Sequence, residues 1–311
     1  MLGSDFVKNI INTILKQNTN LFGINPKIEK INVGFTNTIY NINDSFIVKI
    51  CTNINNEIKF QKEIDFYKTN RENNLIPKLY YSNTDKKDIP YFYEIIEKVD
   101  GVSLYNVWHT FSEKQMEEII KQLCIAMKSI HSNIGESYDW TKEISDSFAS
   151  LYEKAKKLNI FNQEELKLLD YAYAKFEKYL ASNDFVLIHN DLHFDNILFS
   201  DGKIKLIDFE RSMYAPRDFE PDILYRMIRK PWKFASEETE QYTNLSHYSN
   251  IMTYIEKYYP EIVNIPNLYR RLAIYDIVYF LKHLIQHPDI EELKNDVLFA
   301  AKKVALEDEI N

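Results

Sequence analysis

Three polar residues in the second half of the chain have the types and the spacing that phosphoryl transfer requires. Asp191 lies in a His-x-Asp sequence, Asn196 follows it after five residues, and Asp208 comes twelve residues after Asn196. Transfer of a phosphoryl group needs one carboxylate that orients the attacking hydroxyl and oxygen ligands that hold Mg²⁺. Asp191, Asn196 and Asp208 together have the chemistry for these tasks, and the pattern therefore favours a kinase.

The chain around these residues is predicted to fold back on itself. Residues 197–199 and 203–207 have the apolar character of short strands, and Asp201-Gly202 between them is a turn sequence. Such a hairpin brings Asp208 back beside Asn196. Asp and Asn are also common in ordinary turns, but a chance match to the whole pattern in a chain of this length is expected roughly once in several hundred.

These residues resemble the catalytic-loop motif of the aminoglycoside phosphotransferase and choline kinase superfamily, which shares the protein-kinase fold. The resemblance implies that Asp191 is the catalytic base and that Asn196 and Asp208 are the Mg²⁺ ligands. Glu210 stands where protein kinases have the glycine of Asp-Phe-Gly, and this difference argues against a protein kinase. The implied fold is α+β and bilobal, with a small β-rich N-terminal lobe and a larger, mostly helical C-terminal lobe.

Hydrophobic patterns divide the chain into a β-rich part and a helical part. Strands are predicted over residues 28–33, 38–42, 46–51, 78–82 and 91–98, with helices near residue 4 and over residues 55–70. Later helices are predicted from Ser112, with Gln115 completing a capping box, and over residues 142–156, 163–181, 239–258 and 268–287. We expect residues 1–99 to form the nucleotide-binding lobe, residues 94–101 the hinge, and residues 100–311 the lobe with the catalytic loop and acceptor site.

A lysine in the third predicted strand is the candidate phosphate ligand of the N-terminal lobe. Lys49 has apolar neighbours, and its ammonium group is expected to meet α- and β-phosphate oxygens, although a lysine within a strand is often only its solvent-facing residue. Kinases hold this lysine through an ion pair with a glutamate of the following helix. Glu63 is the predicted partner, and Glu57 is the second candidate.

The segment before Lys49 has one glycine, so it is neither a Walker loop nor a protein-kinase glycine loop. Its sequence is also that of a plain hairpin turn, but its position between two strands resembles the Gly-x-x-Asn loop of the family. The resemblance implies that Gly34 allows close approach to the phosphates. Backbone amides and the side chains of Thr36 and Asn37 are then expected to bond phosphate oxygens.

The strand and turn over residues 93–101 resemble the hinge of the family. Adenine or guanine is expected to meet backbone groups at Glu97 and Val99, with Ile96 closing the pocket. Because the backbone makes these contacts, the side chains leave the choice between ATP and GTP open.

Residues around Asp191 are expected to support the catalytic loop. His189 is expected to fix the shape of the loop, and a direct role for His193 near the γ-phosphate stays open. Residues 217–224 resemble the Gly-Asp-x-x-x-Asp-Leu segment of the family, with Arg217 in place of the glycine. That resemblance implies that Asp222 accepts backbone amides of the catalytic loop.

The acceptor is expected to bind after Asp208, where acidic and aromatic residues are frequent. They are Glu210, Glu220, Glu237, Glu238 and Glu240 with Tyr214, Phe219, Tyr225, Trp232, Phe234 and Tyr242. Carboxylates suit the protonated amines of an aminoglycoside, which is the favoured, cationic and hydroxylated acceptor. An aromatic cage suits choline or ethanolamine, and homoserine or sugar kinases and a silent kinase-fold binding protein are further alternatives.

Composition indicates an ordinary globular protein of 311 residues with a net charge of −8. That charge makes nucleic-acid binding unexpected. Cys51 and Cys124 are expected to be reduced core residues, and no signal peptide or run of 18 apolar residues is present. We therefore expect a cytoplasmic monomer or dimer that does not bind membranes.

Overall fold

The computed structural model describes residues 4–31, 37–235 and 239–305, with side chains from residue 9 onward. Its α-helices are α1 Ser4–Gln17, α2 Thr19–Phe22, α3 Glu57–Thr69, α4 Leu104–Val107, α5 Glu113–His131, α6 Trp140–Lys157, α7 Gln163–Tyr173, α8 Phe176–Leu180, α9 Pro221–Arg229, α10 Ile251–Tyr258, α11 Leu268–Gln286 and α12 Glu291–Ala305. Its strands are β1 Ile28–Ile31, β2 Thr38–Ile42, β3 Phe46–Ile50, β4 Leu79–Asn83, β5 Tyr93–Glu97, β6 Val102–Ser103, β7 Phe185–Ile188, β8 Ile197–Ser200, β9 Lys203–Leu206 and β10 Met213–Pro216. Short 3₁₀ helices span Ile54–Asn56, Trp108–Thr110, Phe194–Asn196, Arg217–Phe219, Pro231–Lys233, Glu240–Tyr242, Leu245–His247 and Pro260–Ile262.

The described chain separates into two compact units. The first comprises Met1–Val107 and Phe194–Ser212, and the second comprises Trp108–His193 and Met213–Asn311. The β8–β9 hairpin therefore belongs to the same unit as the N-terminal strands. The functional division at residues 99 and 100 stays a prediction.

The first unit contains a five-stranded antiparallel sheet with the strand order β1-β2-β3-β5-β4. The chain reverses between β2 and β3 at Asn43 and Asp44, which have φ angles of 56° and 55°. Asn and Asp tolerate this left-handed conformation better than other residues with a side chain. The core of the sheet packs against α1 through buried apolar residues that include Ile10, Ile14, Ile42, Val48 and Ile95.

The hairpin predicted before Asp208 is confirmed, as β8 and β9 pair antiparallel with Ile197 opposite Leu206. Asp201 and Gly202 have φ angles of 49° and 78°, the two positive values that a two-residue type I′ turn requires. Strand β6 pairs with the other edge of β8. Gly101 precedes β6 with a φ of 148°, and a Cβ there would lie 2.9 Å from the Phe199 carbonyl oxygen.

The second unit is mainly helical, with the β7–β10 pair as its antiparallel strands. The predicted capping box at Ser112 and Gln115 is present at the start of α5. The apolar face of this helix is buried, with Met116, Ile119, Ile120, Leu123, Met127 and Ile130 in the core. Cys51 in the first unit and Cys124 in the second are buried free thiols.

Two helix predictions in the second unit are wrong in extent. Residues 239–258 form 3₁₀ turns followed by α10, because Asn244 accepts a hydrogen bond from the backbone N of Ser246 and so favours a turn over a helix. Residues 163–181 are interrupted between α7 and α8. This break allows the rings of Tyr173 and Phe176 to contact Phe148 together, at centroid distances of 4.9 and 5.3 Å.

The sequence analysis also missed β10 and α12. Helix α12 packs along α11 and buries Val297, Ala300, Ala301 and Val304. Among the helices that the structure describes, none has the length and apolar composition of a membrane-spanning segment.

Candidate active site

A buried ion pair joins β3 and α3 in the first unit. The Nζ of Lys49 lies 2.5 Å from Oε1 of Glu63, and the two side chains are 14% and 1% exposed. Tyr67, one turn along α3, has its hydroxyl 3.5 Å from the same oxygen. Glu57, the second candidate partner, instead pairs with Lys86. The solvent-facing alternative for Lys49 is therefore wrong.

A second carboxylate of this cluster was missed by the sequence analysis. Glu94 lies opposite Lys49 in the β3–β5 register, with its Oε1 3.9 Å from Nζ. Its side chain is fully buried, and neither carboxylate oxygen accepts a hydrogen bond from the described residues. The available signal was a charged residue among the apolar residues Tyr93, Ile95 and Ile96 of strand β5.

The charges of this cluster act strongly on one another because it is buried. Burial alone lowers the pKa of Lys49, but the negative charges of Glu63, Glu94 and Asp208 outweigh it and raise that pKa above its usual value. Burial raises the pKa of Glu94 well above its usual value, and the charge of Glu63 adds to this effect while Lys49 opposes it. Lys49 is therefore held as a cation, and Glu94 favours its protonated form.

The predicted metal ligands Asn196 and Asp208 lie at the open end of the β8–β9 hairpin. The backbone N of Ile207 donates to the carbonyl oxygen of Asn196 at 3.0 Å, and Asp208 follows with a φ of 67°. An amide oxygen and a carboxylate are the hard oxygen donors that Mg²⁺ prefers. No group of three His, Cys, Asp or Glu suited to a metal occurs among the described residues. This donor set fits an ion that retains water and phosphate ligands.

The residue after Asp208 anchors this end of the hairpin. The ring of Phe209 stacks on that of Phe66 with centroids 4.0 Å apart, and it meets Tyr67 edge to face at 5.3 Å. The backbone N of Leu206 also donates to the carbonyl oxygen of Leu75 at 2.8 Å. The chain is therefore fixed on either side of Asp208, by the ring packing of Phe209 and by the backbone hydrogen bond of Leu206.

In the second unit, a buried glutamate holds the loop that carries Asp191. Oε2 of Glu220 accepts from the backbone N of His189 at 2.7 Å, and Oε1 accepts from the backbone N of Asn190 at 3.1 Å. The Nε2 of His131 lies 3.1 Å from Oε2 of the same carboxylate. Burial alone raises the pKa of Glu220, but the hydrogen bonds and charges of His131 and His189 lower it below its usual value.

This arrangement corrects the predicted role of Asp222. Asp222 instead forms a bidentate ion pair with Arg226, one turn further along α9, at 2.5 and 2.6 Å. Asp218 forms a second buried pair with Arg271 at 2.7 and 2.8 Å. The 3₁₀ turn at Arg217–Phe219 places Glu220, rather than Asp222, against the loop.

His193 lies close to Asp191 within the second unit. Its Nε2 is 4.0 Å from Oδ1 of Asp191, and its backbone N donates to the carbonyl oxygen of Asp191 at 2.9 Å. The centroid of its ring is 6.4 Å from that of Phe234.

The other residues predicted to contact the nucleotide precede β2 or lie in and after β5. Gly34 and Thr36 lie outside the described residues. Oδ1 of Asn37 is buried and has no hydrogen-bond partner among the described residues. Ile96 is buried in β5, while the side chain of Glu97 accepts from Nζ of Lys205 at 2.5 Å.

Val99 follows β5 and is half-buried. It lies in the segment between β5 and β6 that resembles the family hinge, where the expected nucleotide contacts come from the backbone.

Comparison with known proteins identifies the family. Residues 27–248 match the model of the phosphotransferase enzyme family, abbreviated APH. The chain belongs to this family. The resemblance noted in the catalytic-loop motif is thereby confirmed. No curated protein matches this phosphotransferase by sequence.

Solved structures show the same fold. The ADP-bound aminoglycoside phosphotransferase APH(2'')-Ib superposes with a TM-score of 0.65 at 18% identity, covering 96% of this chain and 99% of its own. The streptomycin–ATP complex of APH(2'')-IIa gives 0.64 at 18% identity, covering 98% of this chain and 100% of its own. The GDP complex of an aminoglycoside 2'-phosphotransferase-IIIa mutant gives 0.65 at 13% identity, covering 97% and 98%. The predicted fold class, with a β-rich N-terminal part and a helical C-terminal part, is confirmed.

Proposed function

We propose that this phosphotransferase is a small-molecule kinase that transfers the γ-phosphoryl group of ATP or GTP to a hydroxyl group. The observation that carries the proposal is the buried pair of Lys49 and Glu63, whose electrostatic surroundings include Asp208. An ammonium group held as a cation in a buried site is suited to phosphate oxygens. Solved structures of the same fold contain ADP, ATP or GDP.

The nucleotide contacts follow from this proposal. Lys49 binds α- and β-phosphate oxygens, and Glu63 keeps its ammonium group in position. Backbone groups at Glu97 and Val99 bind the base, with Ile96 beside it. Further phosphate oxygens are bound by the residues before β2, namely Gly34, Thr36 and Asn37.

The metal follows from the same proposal. Asn196 and Asp208 would hold Mg²⁺, which would neutralise negative charge on the phosphate oxygens of the nucleotide.

Asp191 acts on the acceptor. Its carboxylate orients the acceptor hydroxyl and takes the proton as the hydroxyl oxygen bonds to the γ-phosphorus. The bond from that phosphorus to the β-phosphate bridging oxygen breaks, and the nucleoside diphosphate leaves. The transition state is loose, so positioning and charge neutralisation supply most of the rate. The base is expected to contribute about 10²–10⁴ in rate.

The acceptor is the less defined part of the reaction. An aminoglycoside, the favoured cationic acceptor, is supported by the streptomycin that the APH(2'')-IIa complex contains. The carboxylates expected to bind its amines have other contacts, because Glu220 bonds the catalytic loop and Glu210 lies 4.0 Å from Lys59. Glu237 and Glu238 lie outside the described residues.

The test is Mg²⁺-dependent release of ADP or GDP by the purified protein. The acceptor panel contains aminoglycosides, macrolides, choline, ethanolamine, homoserine and simple sugars, with the Asp191→Asn variant as the inactive control. Stimulation by one acceptor that is lost in the variant supports the proposal. Failure of the protein to bind either nucleotide in the presence of Mg²⁺ contradicts it.

A further inference from the structure

The second unit contains a cavity of about 320 Å³ between α9 with its following turn, α11 and α12. Four cationic side chains line it, Arg226, Arg229, Lys230 and Lys233. Asp296 is the one carboxylate among the described residues of the wall. The volume is at the lower end of the range for small-molecule sites, which are about 300–1,000 Å³.

Aromatic rings form much of the rest of the wall. Phe234, Tyr279, Phe280 and Phe299 face the cavity. Such a lining favours the burial of an aromatic or apolar part of a ligand, while a few polar groups fix its orientation. The cavity therefore combines an apolar interior with a cationic border.

Phe234 connects the wall of the cavity to His193 within the same unit. Phe234 lines the cavity, and its ring centroid is 6.4 Å from that of His193. His193 in turn has its Nε2 4.0 Å from Oδ1 of Asp191. A molecule in this cavity is thus close to the residues that flank the proposed base.

The carboxylate of the wall already has cationic partners. Asp296 pairs with Lys230 at 2.5 Å and lies 3.8 Å from Lys233. Both lysines also lie 2.9 Å from Glu292. A protonated amine in the cavity would compete with two lysines for Asp296, which disfavours a cationic ligand here.

Arg229 has donors available for an anion. Of the five N–H donors of a guanidinium group, its Nε bonds the carbonyl oxygen of Tyr225 at 3.2 Å and its Nη2 bonds Asp276 at 2.6 Å. Arg226 is by contrast held by both oxygens of Asp222.

A further cation, Lys303, interacts electrostatically with Arg229. Burial lowers the pKa of Lys303 below its usual value, the charge of Arg229 lowers it further, and the negative charge of Asp276 opposes this effect.

We infer that the acceptor carries a carboxylate or similar anionic group beside an aromatic or apolar body, and that this cavity binds that part through Arg229 and Lys233. The inference rests on the proposed kinase function, because it assigns the cavity to the acceptor of Asp191, and it replaces the cationic acceptor favoured in that proposal with an anionic one. The acceptor hydroxyl then lies toward His193 and Phe234, and the anionic group lies toward the cationic border.

Three matched alcohols test the charge preference, and they differ in one substituent of the same 2-phenylpropan-1-ol skeleton. Tropic acid carries a carboxylate, 2-phenylpropane-1,3-diol is neutral, and 3-amino-2-phenylpropan-1-ol is cationic. Binding of each to the protein with Mg²⁺ and a non-hydrolysable ATP analogue is measured by calorimetry, and ADP release is measured with ATP. We expect tropic acid to bind at least about tenfold more tightly than the amine, since charge-assisted hydrogen bonds favour it.

The variants Arg229→Gln and Lys233→Gln locate the preference. Each is expected to weaken binding of tropic acid about tenfold while changing the diol little, as removal of one charge-assisted partner predicts. Both side chains are 27% exposed, and the second variant keeps the test valid if the first fails to fold. Lys257→Gln is the matched control, because it removes a lysine of the same unit paired with Glu117 at 2.6 Å outside the cavity.

The outcomes separate this inference from the kinase proposal. Binding of tropic acid that depends on Arg229 or Lys233 supports the inference, even if no ADP is released, and absence of ADP release with every acceptor then counts against the kinase alone. Equal or tighter binding of the amine overturns the inference. ADP release with an aminoglycoside but no binding of tropic acid also overturns it and leaves the kinase in place.

Discussion

Phe209 stacks on Phe66 with their ring centroids 4.0 Å apart and an interplanar angle of 11°. Phe66 lies on α3 three residues after Glu63, and Phe209 directly follows Asp208. Both rings are buried. This contact therefore couples the helix that holds Lys49 to the residue next to the proposed metal ligand, within one unit.

Replacement of Phe209 by alanine is expected to damage both stability and nucleotide use. Loss of the buried ring should lower the free energy of unfolding by about 3–5 kcal/mol, and Phe209→Leu should cost less. The KM for nucleotide should rise in both variants, because the stacking of Phe209 on Phe66, which helps to position both Glu63 and Asp208, is lost or weakened. Phe148→Ala, which removes a buried ring of the second unit, should lower stability without raising that KM. Urea unfolding and steady-state kinetics measure these effects, and an unchanged nucleotide KM in Phe209→Leu would contradict the coupling.

Asp191→Asn should reduce kcat by about 10²–10⁴, the usual contribution of a positioned base. The dissociation constant for Mg²⁺ and nucleotide should change little, since Asp191 is assigned to the acceptor hydroxyl. Asp201→Asn is a suitable control because it keeps a residue that tolerates the positive φ of the β8–β9 turn. Single-turnover kinetics and calorimetry distinguish the two effects, and a kcat near that of the unaltered protein for Asp191→Asn would exclude the assigned role.

Glu220→Gln should loosen the loop that carries Asp191. The amide keeps one acceptor oxygen, so one of the backbone amides at His189 and Asn190 loses its charged partner, at a cost of about 2–3 kcal/mol in unfolding free energy. The pKa of Glu220 is lowered in the folded protein. Its ionised carboxylate therefore stabilises the folded protein above the usual glutamate pKa, and this stabilisation is lost as the pH falls through the lowered pKa. The difference between the two proteins should therefore be large at pH 7 and shrink in acid. Urea unfolding across this range tests it, with Asp222→Asn as a comparison that leaves the loop contacts intact.

Glu94→Gln is expected to stabilise the protein at high pH. The pKa of Glu94 is raised by burial, so the folded protein binds its proton more tightly than the unfolded chain. The stability that this carboxyl contributes is present below the usual glutamate pKa and declines as the pH rises toward the raised value. A neutral amide removes that decline, and the gain at pH 8 should be about 1–3 kcal/mol, the usual cost of a buried unsatisfied group. Thermal unfolding at pH 8 and pH 5 provides the comparison, and a loss of stability at pH 8 would indicate an ionised partner of Lys49.

Gly101→Ala should destabilise the β6–β8 contact. The new Cβ would meet the Phe199 carbonyl oxygen at 2.9 Å, and the φ of 148° disfavours any side chain. We expect a loss of about 1–3 kcal/mol in unfolding free energy. Gly202→Ala is the matched control, because its φ of 78° is also positive but no atom lies within 4 Å of its Cβ. A loss no greater than that of Gly202→Ala would show that the close approach to Phe199 costs little.

Local patterns predicted those parts of the fold that depend on neighbours along the chain. The capping box at Ser112, the turn at Asp201-Gly202 and the strand of Lys49 each depend on a few adjacent residues. These features required no knowledge of distant contacts. The pairing of Glu63 with Lys49 was instead predicted from the ion pair that kinases form between this strand and the helix after it.

Distant contacts decide the features that the sequence analysis missed. Glu220 and Asp222 are two residues apart and chemically similar, and the choice between them depends on where His131 and His189 lie. Glu94 gains its importance from a lysine on a neighbouring strand. The four cations of the cavity wall lie in one segment, residues 226–233, but Tyr279, Phe280 and Phe299, which complete the wall, lie more than 40 residues further along the chain, so the cavity itself depends on distant contacts.

The chain passes between its two units three times, since the first unit takes back the segment Phe194–Ser212 after leaving at Val107. A nascent chain that has just emerged to Val107 lacks β8, the pairing partner of β6. About a hundred further residues must be synthesised before that partner is available, which takes on the order of 5–20 s at typical translation rates. During translation β6 therefore has no pairing partner until the middle of the chain has been made, and the first unit is expected to be incomplete until Ser212 has emerged.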